Sequence, residues 1–318
     1  SMHDSIFTQD YAGATNVLIR SSSALGDSLM LTAVTEELRT QFPHLHISVS
    51  GNDLVREVFR FNTSVDSVLT ANSPAEFAVE ERADIVIEYN HIIDRIQEYY
   101  NGAHFMDILG AIAGIRLHSK SLHYTLSATD THNAATLIHE QYPVRPPMLI
   151  GIHCHTEKDL KRSYPYTVAL VTALQALYPN AGIIHFGNYT YSDMPKGVLD
   201  CADRRTSLRT QIATAKECTA FISIDSAFFH IAHNLFGKPT LLLQSVTNEQ
   251  LIGNLENTIV RVMRSGRTNC TPCYWSCKQH CLSQIHPVEI AAEFNTFLAE
   301  LHDTGTTPET PLHSQVLV

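Results

Sequence analysis

The sequence predicts an α/β protein made of two Rossmann-like domains, and three observations carry that prediction. The chain has 318 residues, more than one hydrophobic core usually organises and close to two domains of roughly 150 residues each. Short apolar runs alternate with segments of helical apolar spacing, the pattern of a parallel sheet covered by helices. That alternation runs twice, with Pro143, Pro146 and Pro147 between the two passes. The expected division is residues 1–145, residues 146–303 and a loose tail over 304–318.

In the first pass, residues 16–20 (NVLIR) read as a strand, 21–27 as a Ser/Gly-rich loop, and 28–42 as a helix with Leu29, Ala33, Leu38 and Phe42 on its apolar side. Residues 46–50, 67–70 and 84–88 read as further strands, with helical segments over 54–61 and 74–82. Spacing turns helical over 92–115, 122–126 is strand-like, and 130–141 is a helix that stops before Pro143. The second pass reads as strands at 148–152, 182–186, 220–224 and 239–243, with helices at 165–178, 207–215 and 225–236. Pro165 suits a first helical turn. An amphipathic helix over 286–301 closes the pattern.

Composition narrows the function classes. Apolar residues make up 44%, ample for two cores. The longest apolar stretch, residues 108–115, is bounded by Asp107 and Arg116, far short of the roughly 20 residues that cross a bilayer. No secretory signal opens the chain, Ser1-Met2 reads as a remnant of tag cleavage, and a cytoplasmic location is expected. Residues 1–145 hold 9 Lys/Arg against 18 Asp/Glu, while 146–318 hold 13 against 14. An acidic first half disfavours nucleic acid and anionic lipid, which are bound through Lys and Arg clusters.

Three segments carry candidate chemistry. Gly26-Asp27 ends the loop after the first strand, on the edge where open α/β sheets bind ligands. Gly26 permits close backbone approach, and Asp27 either caps the helix or projects a carboxylate able to take a proton from a hydroxyl. Asp225-Ser226-Ala227 joins an apolar strand to a helix. Such a helix start is either capped by its own side chains or is an anion site made by free N–H groups and the helix dipole, and His230 follows on that helix. Lys158, Lys161 and Arg162 precede Tyr164-Pro165, as a solvated charged face or as a phosphate clamp.

Gly26-Asp27, the Lys/Arg-then-aromatic-Pro element, Thr206-Ser207-Leu208, Asp225-Ser226 with His230, and a late cysteine cluster occur in the order seen in ADP-heptose heptosyltransferases of glycosyltransferase family nine. The chain resembles that family from about residue 16 to residue 298. The resemblance implies a GT-B fold, two Rossmann-like domains facing across a cleft, the first for the acceptor and the second for the nucleotide sugar. It implies an inverting transfer, most simply of heptose from ADP-heptose to a hydroxyl of a glycan or protein, with no catalytic metal. Asp27 would be the base, and Lys161 or Arg162 would stabilise the leaving diphosphate. Gly26, Thr156, Gly187, Ser207, Asp225, Ser226, Ala227 and His230 would bind the donor. The sequence departs from the family where Ala227 replaces a usual Gly, Tyr164 replaces a usual Trp, and His153-Cys154-His155-Thr156 replaces a small-residue turn.

Cys270, Cys273, Cys277 and Cys281 place four soft ligands within twelve residues, a spacing suited to one tetrahedral structural Zn or Fe ion. His280 or His286 could replace one of them, and reduced thiols without metal are the alternative. Autotransporter heptosyltransferases, relatives that modify protein serines, pair such a fold with cysteine-bound iron. Cys154, Cys201 and Cys218 read as ordinary core or surface thiols.

Two other functions compete. Gly26-Asp27-Ser28-Leu29 spells the signature of GDSL esterases, but none of the fifteen aspartates has His three residues on, as that family's dyad needs. A non-catalytic sugar-nucleotide-binding or scaffold protein on the same frame is the second, suggested by Ala227 and the altered turn. The acidic first domain points to a neutral or cationic acceptor.

Overall fold

The computed structural model describes residues 9–90, 103–157, 159–247, 252–253, 259–265, 273 and 280–305. They belong to two compact units, Ser1–Thr125 with Gln250–Asn254, and Leu126–Glu249 with Leu255–Val318.

The first unit holds a parallel sheet of four strands, β1 (Asn16–Arg20), β2 (His46–Gly51), β3 (Ser67–Thr70) and β4 (Ile85–Glu88), in the order β3-β2-β1-β4. Val17 pairs with Ile47 on one side and Ile85 on the other, which centres β1. Val17, Leu18 and Ile19 are all buried, as expected of a parallel strand covered on both faces. The helix Leu25–Gln41 follows β1 and packs Leu29, Val34 and Leu38 into the core. Asn52 and Ser73 cap the next two helices, accepting from Val55 N at 3.1 Å and Glu76 N at 3.2 Å. Of the helical stretch expected over 92–115, residues 92–102 lie outside the described residues, and a helix spans Phe105–Ala113 and ends on left-handed Gly114.

Residues 122–126 form no strand. Leu122 and Tyr124 do alternate inward, but the His123 N–H goes to the Thr32 hydroxyl at 3.0 Å and to no ladder.

The second unit holds six parallel strands, β5 (Leu149–His153), β6 (Gly182–His185), β7 (Val198–Asp200), β8 (Ala220–Ile224), β9 (Thr240–Leu243) and β10 (Val260–Met263), in the order β10-β9-β8-β5-β6-β7. The order reverses between β5 and β8, the place where open α/β sheets open a ligand crevice at their carboxyl ends. Ile150, Ile152, Ile222, Ile224, Leu241 and Leu243 build the core with Leu170, Leu174, Phe294 and Leu298 from the helices Thr167–Leu177 and Pro287–Asp303. Pro165 precedes the N-cap Tyr166 of the first of these helices, so it lies outside the turn expected to hold it.

The helix Ala128–Gln141, read from the sequence as the end of the first domain, packs in the second unit. Ser127 and Asp130 cap it reciprocally, and Asp130 Oδ2 accepts from Arg209 Nε at 3.0 Å and Nη2 at 2.8 Å. Burial opposes the Asp130 charge, yet the Arg209 and Ser127 hydrogen bonds outweigh it and hold the carboxyl below the usual range. Tyr142 adds a tie, accepting from Ile183 N at 3.1 Å and donating to Gly197 O at 2.6 Å. The prolines therefore interrupt the second unit rather than precede it.

Candidate functional site

In the first unit, the loop Ser21 to Ala24 leaves β1 next to β4, the switch point of that sheet. The flanking strand ends hold it in place: Asn90 Oδ1 accepts from Ser22 N at 2.8 Å, and Asn52 Nδ2 donates to Ser23 O at 3.1 Å. Ala24 is the N-cap and makes no side-chain cap bond. Gly26 and Asp27 are the second and third helical residues, both partly buried, so Asp27 enriches the first turn with negative charge without occupying the cap. Arg20, at the end of β1, lies among Glu76 at 3.5 Å, Glu88 at 3.5 Å and Glu80, which it contacts more closely.

In the second unit, the site is built from the carboxyl ends of β5 and β8. A short 3-10 turn, Leu160–Arg162, carries Lys161 and Arg162, and Asp159 caps it by accepting from Lys161 N at 3.1 Å. Asp159 also receives Arg162 Nε at 3.2 Å, while Arg162 Nη1 donates to the Asp225 carbonyl at 3.1 Å. The guanidinium is thus fixed over the β8 end. Lys158 lies outside the described residues. Thr156 is held by Ser163, whose hydroxyl accepts from Thr156 N at 2.9 Å and donates to its carbonyl at 3.2 Å.

Asp225 is buried, and its carboxylate accepts from the Thr247 hydroxyl at 3.1 Å. Burial raises its pKa, against the pull of Arg162 and the Thr247 bond. The carboxylate serves to join the β8 and β9 ends. Ser226 begins a helical turn of three residues, Ala227–Phe229, which widens at once into a π-helix over His230–Leu235. His233 explains the widening: its Nδ1 takes the Phe229 carbonyl at 2.6 Å, and Phe236 N reaches back five residues to Ile231 O. The regular helix expected over 225–236 is therefore replaced. His230 is buried in this wide turn, its ring against Phe229 and His233.

Gly187 follows β6 with φ +102°, and Gln211 binds both its N–H at 2.8 Å and its carbonyl at 3.1 Å. Ser207 caps the helix Leu208–Lys216 by accepting from Thr210 N at 3.3 Å, so its hydroxyl is committed to the fold. The structure thus brings Arg162, Asp225 and Ser226 together on one crevice edge and gives Ser207 to a helix.

Sequence reasoning gave no role to three residues here, His153, His155 and Tyr189. His153, the last residue of β5, places Nδ1 2.7 Å from Ser226 Oγ. His155 stacks on Tyr189 with ring centroids 3.7 Å apart. A cavity of about 680 Å³ opens beside Tyr189, which lines it with Tyr191, Asp203 and Arg205 among others. The signals were His153-x-His155 at a strand end and Tyr189-x-Tyr191 past the next.

Of the cysteines, Cys270 and Cys277 lie outside the described residues, and no group of three or more His, Cys, Asp or Glu gathers as a metal site among the described ones. Cys273 N donates to Val246 O at 3.1 Å. His280 and His286 have other partners, the Leu160 carbonyl at 2.6 Å and Val288 N at 3.3 Å. Cys154, Cys201 and Cys218 are buried, and burial pushes all three thiols up, to about 12 for Cys154 and Cys201. No helix among the described residues is long and apolar enough to cross a membrane.

This fold is shared with solved glycosyltransferases. A family-nine glycosyltransferase of Veillonella parvula superposes with a TM-score of 0.70 at 16% identity, over 92% of this chain and 98% of that one. The E. coli ADP-heptose lipopolysaccharide heptosyltransferase II gives 0.66 at 14% identity, over 91% and 100%. The iron-containing dodecameric glycosyltransferase TibC of enterotoxigenic E. coli gives 0.60 at 12%, over 92% and 77%. No protein-family profile matches the chain, nor does any curated protein sequence.

Proposed function

We propose that the protein is an inverting glycosyltransferase of the GT-B arrangement that moves a sugar, heptose from ADP-heptose, to a hydroxyl of a glycan or protein. The observation that carries this reading is Arg162, fixed by Asp159 and the Asp225 carbonyl over the β5/β8 switch point, beside Lys161 and Ser226. A departing diphosphate needs stationary positive charge and donors there more than covalent help. The fold shared with ADP-heptose-using enzymes supports the donor class.

In this reading the acceptor oxygen attacks the anomeric carbon as Asp27 takes its proton. The bond from that carbon to the diphosphate oxygen breaks, and its electron pair stays on the diphosphate beside Lys161 and Arg162. Gly26 leaves room for the acceptor at the start of the Leu25–Gln41 helix. Thr156, Gly187, Ala227 and His230 complete the donor side, and Asp225 orients Arg162. The acceptor is read as neutral or cationic, because Arg20, the cation at the first sheet's carboxyl edge, is already surrounded by three glutamates. The cysteine run is read as a structural iron or zinc site, four thiolates being a donor set both ions accept.

Release of ADP from ADP-heptose by the wild type and by Asp27→Ala tests the mechanism. Loss of the base should lower kcat by about 100- to 10,000-fold. Equal turnover by both proteins removes Asp27 from the reaction. Binding of ADP-heptose with no turnover by either protein favours the non-catalytic reading that Ala227 and the altered His153-Cys154-His155-Thr156 turn suggest.

A further inference from the structure

We propose that His153 is a phosphate-binding residue of the donor site, its Nε2–H donating to the diphosphate while its Nδ1 holds Ser226. The inference rests on the nucleotide-sugar reading and adds to it a residue from the first strand of the second unit.

Position comes first. His153 ends β5 and pairs in register with Ser223 of β8, so it stands on the switch point, where the two strand ends diverge. Its ring lies 5.0 Å from that of Phe228, and the bond of 2.7 Å to Ser226 Oγ fixes its rotation. The other nitrogen differs. Nε2 makes no hydrogen bond among the described residues, and it is not one of the wholly buried polar atoms lacking a partner, so it keeps an accessible edge on a half-buried ring. Gly187 keeps that edge clear: a Cβ there would lie 3.1 Å from both Cδ2 and Nε2. The glycine therefore answers two demands, its positive φ and the closeness of the imidazole.

Charge sets the direction of the bond. With burial as the main cause, and His185, His155 and Arg162 adding to it, His153 falls to about 3 and is neutral at physiological pH. A neutral imidazole whose Nδ1 accepts from the Ser226 hydroxyl carries its proton on Nε2. The opposite tautomer would aim a lone pair at an anion. A diphosphate therefore selects the donor form, and Arg162 also reaches the end of β8, at the Asp225 carbonyl.

The experiment compares wild type with His153→Asn, whose amide retains a polar partner for Ser226 but has no atom at Nε2. ADP and adenosine are titrated by calorimetry, and the Nε2 resonance of the wild type is followed by 15N NMR as ADP is added. The expected result is an ADP affinity lowered about 10- to 100-fold in the variant, unchanged adenosine affinity, and an Nε2 resonance that moves with ADP in the wild type. A residue that only braces Ser226 would leave the variant's ADP affinity and the Nε2 resonance unchanged, and either result overturns the assignment. If the variant does not fold, the wild-type resonance alone decides. Failure of wild-type protein to bind ADP would overturn the donor reading itself, and this assignment with it. Normal wild-type binding with an indifferent His153 overturns only the latter.

Discussion

Replacing Arg162 tests the proposed chemistry most directly. The side chain is 24% exposed and is fixed at both ends of its guanidinium, at 3.2 Å to Asp159 Oδ2 and 3.1 Å to the Asp225 carbonyl. A unit charge about 4 Å from a developing phosphate charge, at an effective dielectric constant of about 20, contributes about 4 kcal/mol. Removal of one preorganised donor from a comparable site costs about 2.7–4 kcal/mol, so Arg162→Ala should lower kcat about 100- to 1,000-fold. Arg162→Lys retains the charge and loses the fork, so its loss should be nearer 10-fold, or about 1.4 kcal/mol. The assay is single-turnover release of ADP from saturating ADP-heptose, with water as acceptor, so that the acceptor need not be known. A urea melt of each variant separates lost chemistry from lost structure, because the Asp225 bond alone is worth about 1.5–3 kcal/mol of stability. A folded Arg162→Ala protein within about 3-fold of wild type would refute the electrostatic argument.

Two further outcomes are expected. Asp130→Asn should destabilise the second unit by about 3–5 kcal/mol in urea, since it removes the carboxylate charge from an ion pair whose side chains are each 10% exposed. The folded carboxyl of Asp130 lies below its unfolded value of about 3.9, so the wild-type advantage is complete above that pH and disappears as pH falls through the folded value. A difference that persists at pH 2 would contradict the pairing. Elemental analysis of protein purified without added metal should find about one iron or zinc per chain, and a chelator should lower the melting temperature; contents near zero would leave the cysteines as thiols.

Much of the frame is legible in the residues because strand and helix periods differ. The runs at 16–20, 46–50, 67–70 and 220–224 match β1, β2, β3 and β8 within a residue. β7, with only Val198, Leu199 and Asp200, is too short for any period to emerge. The 122–126 run failed for the opposite reason: its alternation is real, but its partners are core side chains. Among the candidate site residues, Arg162 and Ser226 are readable as charge and small polar group at strand ends. Ser207 shares that appearance, yet its hydroxyl serves the backbone, a difference visible only in three dimensions. The pairing of His153 with Ser226 was hidden because it depends on which ring nitrogen meets the hydroxyl and on the missing Cβ of Gly187, neither of which a linear pattern records.

The placement of the Ala128–Gln141 helix also decides where the gene can be divided. A cut among the prolines, inviting by composition, would separate Asp130 from Arg209 and Tyr142 from the β6 and β7 backbone. A fragment meant to represent the second unit has to start near Leu126, and one meant for the first has to manage without Gln250–Asn254, which the chain contributes from far downstream.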